Sequence, residues 1–528
     1  MEDSLRIVGE YGIYQTHIKI ILLGCAFLTN IFSLQIDLML KIPNIKIIEK
    51  NFPIKNSTIE SLLPNHEKID NKFCDKNKYD IEIYENTTLK NWNYNYELFC
   101  ENEWYLYCIY FSVLIGNIFG LIFFSSIGDR IGREKIIKYS IIFNSFVHLN
   151  LLFCINLFHL VLINFLGSLN SFIFIISIVC ITEILPHESN GINIGIFNLV
   201  YNSYLFVLYF FLSFFEDWKI LFFFTSLMSI FLSYYTFHNF LESPRWLYSI
   251  GQKIKCLSVL DRISLYNGTL TTWNEYQDIQ IENANRFGRA STNFTKLFNF
   301  ELDCGEIEQD FKGITFFDLF TFKSQKNILI ILGFLIFISA FYSCGILIII
   351  INKENNDNIH TLILIWFFKI IIGMIAGYFS DILGRKPLIM FGGIFGSFCL
   401  FIYVENGSEL FLIMSLLCSQ GVCTILLIYV PENISTPIRC TLCGWLFLEY
   451  KVIKFIIEIS YKYINKDIMN YFIILSGFLI GFCMIYMKET LDENISDIIP
   501  ELKDKIEKFE NFHLKSFHST EYPSFLIA

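Results

Sequence analysis

The chain has 528 residues, 54% of them hydrophobic and only 17% charged, with a mean hydropathy of +0.49; these values exclude an ordinary soluble enzyme of this length and specify a membrane protein. The formal net charge of −10 resides in loops and tails, and with no basic face to neutralise phosphates, nucleic acid is not expected as a partner.

Met1 to His17 carries charge of both signs and reads as an N-terminal segment (1–17) before the first span at about Ile18 to Leu40; that run is too long for the apolar core of a signal peptide. A spanning helix needs about 20 mainly apolar residues. Residues 41–103 form a long polar loop, and Trp104 to Ile127 is the second span. Ile136 to Asn156, Phe158 to Ile184, Asn193 to Phe215 and Lys219 to Phe240 complete a first six-helix bundle, residues 18–240. A polar segment, 241–326, reads as a linker. Asn327 to Ile351, Ile359 to Ser380, Pro387 to Val404, Leu410 to Val430, Thr441 to Tyr461 and Ile468 to Met487 form the second bundle, 327–487, and 488–528 is a polar tail. The fold class expected is therefore an all-α polytopic membrane protein, with twelve transmembrane helices in two six-helix bundles.

Basic residues of the short loops, Arg130, Arg133, Lys135, Lys138, Arg385, Lys386 and Arg439, fall on one side if both termini are cytosolic. The 41–103 loop then faces outward. Its Cys74 and Cys100 are set apart from the other cysteines of the chain, most of which lie in apolar runs, and can oxidise to a disulfide; Asn56 and Asn86 begin glycosylation sequons there. Sequons at Asn267, Asn293, Asn433 and Asn494 fall on the cytosolic side of this topology.

One turn is written twice. Gly128-Asp129-Arg130-Ile131-Gly132-Arg133 follows span two, and Asp381-Ile382-Leu383-Gly384-Arg385 follows span eight. Glycine permits a tight reversal at the membrane surface, while Asp and Arg can pair with each other and with helix ends. Gly9-Glu10-Tyr11-Gly12 with Gln15, Leu98-Phe99-Cys100, Ile181-Thr182-Glu183, Glu242-Ser243-Pro244-Arg245-Trp246-Leu247, Glu432 with Thr436 and Arg439, and Lys488-Glu489-Thr490-Leu491 complete the pattern. Over nearly its whole length the chain resembles the organic-ion transporter branch of the major facilitator superfamily, a solute-carrier type. The resemblance implies a gate in which Asp129, Arg130, Gly132, Arg133, Glu183, Glu242, Arg245, Asp381, Gly384, Arg385, Glu432 and Arg439 form a charge network that breaks when the inner face opens. Topology anchoring in the headgroup layer is the alternative role for these charges. Where the family usually has basic residues after Glu183, this chain has His187-Glu188-Ser189-Asn190, which implies a thinner network around Glu183. Ser435 also replaces the usual proline before Thr436.

A charge near the bilayer midplane calls for a partner or a purpose. Lys451 stands mid-way along span eleven, where cation-carrying relatives have an acid and anion-carrying relatives a basic residue; Lys369 is in the first half of span eight. Both favour an anionic substrate, unless Glu449 or Asp37 neutralises Lys451. Lys454 and Glu458 are spaced to pair along one helix. Tyr342, Asn198, Tyr201 and Gln35 are further candidates for substrate contact, each against the alternative of helix packing.

The function expected is secondary transport of small organic ions, more often anions, across the plasma membrane by alternating access between the halves. An organic cation or zwitterion carrier, a proton-coupled sugar carrier and a transporter-like sensor without flux are the alternatives. No Gly-x-x-x-x-Gly-Lys nucleotide loop is present, the nine histidines are scattered, and neither enzyme activity, a cofactor nor a metal is expected.

Overall fold

The computed structural model describes residues 2–29, 39, 45–49, 79–83, 91–96, 98, 103–215, 217–286, 323–353, 359–491, 493 and 496–497. Gln35, Asp37, Cys74, Cys100, Asn56 and Asn86 lie outside the described residues, as do the sequons at Asn293 and Asn494 and the side chain of Glu458.

A short helix, α1 (Glu2–Gly9), precedes α2 (Ile13–Thr29), and the two meet at 103°. The first loop contributes an antiparallel pair of strands, β1 (Ile45–Glu49) and β2 (Tyr79–Ile83), and a turn of helix, α3 (Trp92–Tyr96). This small hairpin is the departure from an all-helical chain among the described residues. The second span is α4 (Glu103–Phe119), a π-helical turn (Gly120–Phe124) and α5 (Ser125–Ile131). Then come α6 (Arg133–Leu152), α7 (Leu157–Leu169) with α8 (Phe172–Ile184), α9 (Asn190–Phe215) and α10 (Trp218–Asn239). The fourth span breaks at Asn170–Ser171, where Asn170 donates to the Ser140 carbonyl at 3.1 Å.

The linker is more structured than its polarity suggests. It folds into α11 (Pro244–Ser249), α12 (Lys253–Asn267) and α13 (Leu270–Arg286), with Leu260, Ile263 and Trp273 buried. The second half is α14 (Lys323–Lys353), α15 (Ile359–Leu383), α16 (Arg385–Asn406), α17 (Glu409–Asn433), α18 (Arg439–Tyr463) and α19 (Lys466–Ile485). Twelve helical spans result. Eight meet a strict standard of length and apolarity among the described residues, or nine with the bent α1–α2 pair. Two of the three others fall short for a physical reason: α6 opens with Arg133, Glu134 and Lys135, and α18 carries Glu449, Lys451, Lys454 and Glu458.

The halves meet where bulk is missing. Gly191 and Gly195 on α9 face Gly377 and Gly373 on α15 so closely that a Cβ at Gly195 would come within 3.2 Å of the Gly373 carbonyl. A small-x-x-x-small stripe on each helix lets two backbones approach without intervening side chains.

Candidate functional site: paired charged turns and a lysine-lined cavity

Each repeated turn is built by a glycine in the left-handed region, Gly132 at φ +109° and Gly384 at φ +92°. The glycines end one span and let the next begin, so Arg133 and Arg385 stand as the first residues of α6 and α16, both wholly buried. A carboxylate caps each new helix. Glu242 accepts from Arg133 N at 2.8 Å and Glu134 N at 3.3 Å; Glu489 accepts from Arg385 N and Lys386 N, both at 3.0 Å. A Cβ at Gly132 would run into the Glu242 carboxylate, and one at Gly384 would sit 2.7 Å from that of Glu489. Burial pushes the Glu242 carboxyl up to about 7, against the pull of the Arg133 guanidinium and three backbone donors.

Within each half the arginine joins two acids. Arg133 lies 3.1 Å from Asp129 and 3.0 Å from Glu183, and Arg385 lies 3.3 Å from Asp381 and 3.1 Å from Glu432. Between halves, the aspartates cap helices of the opposite bundle. Asp129 accepts from Thr441 N and Oγ1, both at 2.7 Å, and from Cys440 N at 3.3 Å, at the start of α18. Asp381 accepts from Gly191 N and Ile192 N, both at 2.9 Å, at the start of α9. The partial positive charge of a helix N-terminus favours such an anion. Arg439 crosses to Glu183 at 3.2 Å, and Arg133 donates to the Thr436 carbonyl at 2.9 Å. Both turns therefore lie at one end of the molecule, in equivalent positions, and join the two halves there.

The residues after Glu183 do not reach Glu183. His187 Nε2 is 3.4 Å from Glu432, and Asn190 donates to Glu432 at 3.5 Å. Glu183 instead holds two arginines, Arg133 and Arg439, while Glu432 holds Arg385 and also accepts from the Thr490 hydroxyl at 2.6 Å. Arg245 is buried and pairs with Asp497 of the tail at 3.4 Å. Arg130 is exposed on the surface of its turn.

From Pro431, next to Glu432, and Cys443, one helical turn past Arg439, begins a cavity with an empty volume of about 1310 Å³ including its open mouth. Lys369, Lys451 and Lys454 all line it, each half-buried, and no Asp or Glu does among the described residues. Phe174, Tyr201, Phe447 and Tyr450 form an aromatic wall: Phe174 lies 4.4 Å from Tyr201 and 4.8 Å from Phe447 between ring centroids. Lys451 Nζ sits 5.1 Å over the Phe447 ring, a cation–π contact. Asn198 and Tyr201 line the cavity, and Asn198 also donates to Thr424 of the other half at 2.7 Å.

Tyr342 is a correction. It is fully buried outside the cavity lining, packed where Gly396 and Gly477 leave room for its ring. Lys454 was legible only as a local pairing partner of Glu458; its spacing of three from Lys451 and seven from Phe447 was the signal for a shared helix face.

Residues 104–436 match the family model described as Major Facilitator Superfamily. No curated protein matches the sequence. Among solved structures, the chain is similar to the proton:xylose symporter XylE bound to 6-bromo-6-deoxy-D-glucose, with a TM-score of 0.57 and 13% identity over 91% of this chain and 98% of that one. It is similar to the human organic anion transporter MFSD10 (TETRAN), with a TM-score of 0.53 and 10% identity over 90% and 99%. A partially occluded inward-open XylE from E. coli aligns with a TM-score of 0.51 and 13% identity over 90% and 100%. At these identities the likeness is one of fold.

Proposed function

The chain belongs to the Major Facilitator Superfamily, whose members are transporters rather than enzymes, and from that premise we propose that it is a secondary transporter of small organic anions working by alternating access. The observation that carries the charge assignment is the meeting of Lys369, Lys451 and Lys454 on one cavity whose described lining holds no acid. Fixed cations lower the cost of bringing a carboxylate or sulfonate into a low-dielectric site, and the aromatic wall suits an apolar body attached to it. The shut end carries Arg130, Arg133, Lys135, Lys138, Arg385, Lys386 and Arg439, so on the positive-inside rule it is the cytosolic face of the plasma membrane. On this reading both termini, the 241–326 linker and the tail are cytosolic, and the structure is an outward-facing state. The twelve residues of the gate act as a latch: contacts between halves form on closing, while the pairs within each half persist. The residues that hold the substrate are Lys369, Lys451, Lys454, Asn198 and Tyr201.

Uptake into proteoliposomes tests the assignment, with labelled organic anions, cations, zwitterions and sugars offered in parallel. Preferred entry of anions is the expected result. Entry of cations or sugars alone overturns the charge reading, and absence of any flux favours a sensor.

A further inference from the structure

The two gate carboxylates do not meet the same kind of partner across the gate. Glu183 receives Arg439 at 3.2 Å, a guanidinium that stays charged at any physiological pH. Glu432 receives His187, whose Nε2 lies 3.4 Å from Oε1. His187 stands in the short 3-10 turn His187–Ser189 leading into α9, as Arg439 follows the turn Thr436–Ile438 leading into α18. Histidine is the side chain whose charge ordinarily changes between pH 5 and 8. We propose that His187 and Glu432 form a proton-binding site on the cytosolic gate, through which internal pH sets how long that gate stays shut. The inference rests on the alternating-access reading above.

The charges around the ring are few. Glu432 Oε1 also holds Arg385 at 3.1 Å, and Arg385 holds Asp381 at 3.3 Å. From the N-terminal side, Glu10 and Arg245 share a small pocket with His187, and Arg245 pairs with Asp497 at 3.4 Å. The neighbouring Glu188 is engaged by Arg6 at 3.1 Å. His187 is 8% exposed, so water screens these contacts little. Glu10 and Arg245 belong to the half that carries His187 and its linker, and they stay beside it in either state. Glu432 and Arg385 belong to the other half and leave together when the gate opens, the carboxylate being the nearer. A proton taken from cytosolic water onto the imidazole is therefore held more tightly when the gate is closed, with the Glu432 carboxylate 3.4 Å from Nε2. By linkage, that proton favours the closed gate.

The test uses the full-length protein in lipid nanodiscs, with spin-labelled unnatural amino acids at Ile131 and Leu383, exposed equivalents in the two repeated turns. The distance distribution gives the ratio of closed to open gates without any substrate. Lowering the pH from 7.5 to 6.0 is expected to raise that ratio about fivefold, the lower end of usual coupling strengths. His187→Arg should be as closed at pH 7.5 as the parent at pH 6.0, and His187→Gln should be more open; neither should show the parent's fivefold response. Glu242 is intact in both variants, so any response it adds is seen there too. A parent ratio that ignores pH, or a pH response kept in full by His187→Gln, overturns the proton site alone. A single distance in every protein at both pH values contradicts alternating access itself.

Discussion

Replacing Asp129 with Asn removes the anion that the first half places on the start of α18 while keeping the side chain's size. Asp129 receives two backbone N–H groups and the Thr441 hydroxyl, and it is 7% exposed at the side chain. Hydrogen bonds to a charged group contribute about 1.5–3 kcal/mol, and an anion at a partly buried helix N-terminus up to about 2 kcal/mol. The amide keeps one acceptor, so a loss of about 2 kcal/mol from the closed state follows, or roughly 30-fold in the closed-to-open ratio. Asp381 receives two backbone donors and no hydroxyl, so Asp381→Asn should cost about 1.5 kcal/mol, roughly tenfold. The sites share no partner, and their effects should add to about 300-fold. Cys440 and Cys443 lie buried just behind this latch. Their rate of modification by an impermeant maleimide from the cytosolic side, read by peptide mass spectrometry, follows the open fraction. Rates within twofold of the parent in both variants would refute the assignment of these aspartates to the latch.

Lys451→Ala should lower the kcat/KM of anion uptake by about tenfold or more, as expected for losing a charge-assisted contact, and Lys454→Ala should act in the same direction; Tyr342→Phe, behind the wall, should leave uptake unchanged at equal expression. Gly132→Ala and Gly384→Ala each force a β-carbon into a left-handed turn already occupied by a carboxylate, and should cost at least about 1–3 kcal/mol, seen as a lower Tm in detergent. The carboxyl of Glu242 is raised to about 7 from an ordinary 4.5. A raised acid stabilises the fold fully below the unfolded value and loses that contribution as pH climbs through the folded one. Relative to Glu242→Gln, the parent should therefore lose on the order of 3 kcal/mol between pH 4.5 and 7, and a stability difference that stays constant with pH would contradict this.

Much of the architecture was readable because membrane spans write themselves in long apolar runs and the Asp-x-x-Gly-Arg turn occurs twice at matching places. The partners of the gate were not. Nothing in the spacing says that Asp129 caps α18 or that His187 faces Glu432, since such contacts span 312 residues in the first case and depend on how two bundles dock. Lys454 was hidden by a plausible local pairing, and Tyr342 was misplaced because a nearby glycine marks close helix packing as readily as a binding site. The Gly191-x-x-x-Gly195 and Gly373-x-x-x-Gly377 stripes were present in the sequence, but their meaning needed the knowledge that α9 and α15 touch. The linker shows only weak helical patterns in its sequence, although Trp273 and Leu260 give it a small core.

Counterflow tests the central claim most directly. Proteoliposomes are preloaded with an unlabelled organic anion, and entry of the same labelled anion from outside is timed against empty vesicles. A single cavity served by one gate at a time predicts that internal anion accelerates labelled entry in the parent and that Lys451→Ala reduces that entry. Entry at the same rate with empty and loaded vesicles would contradict it.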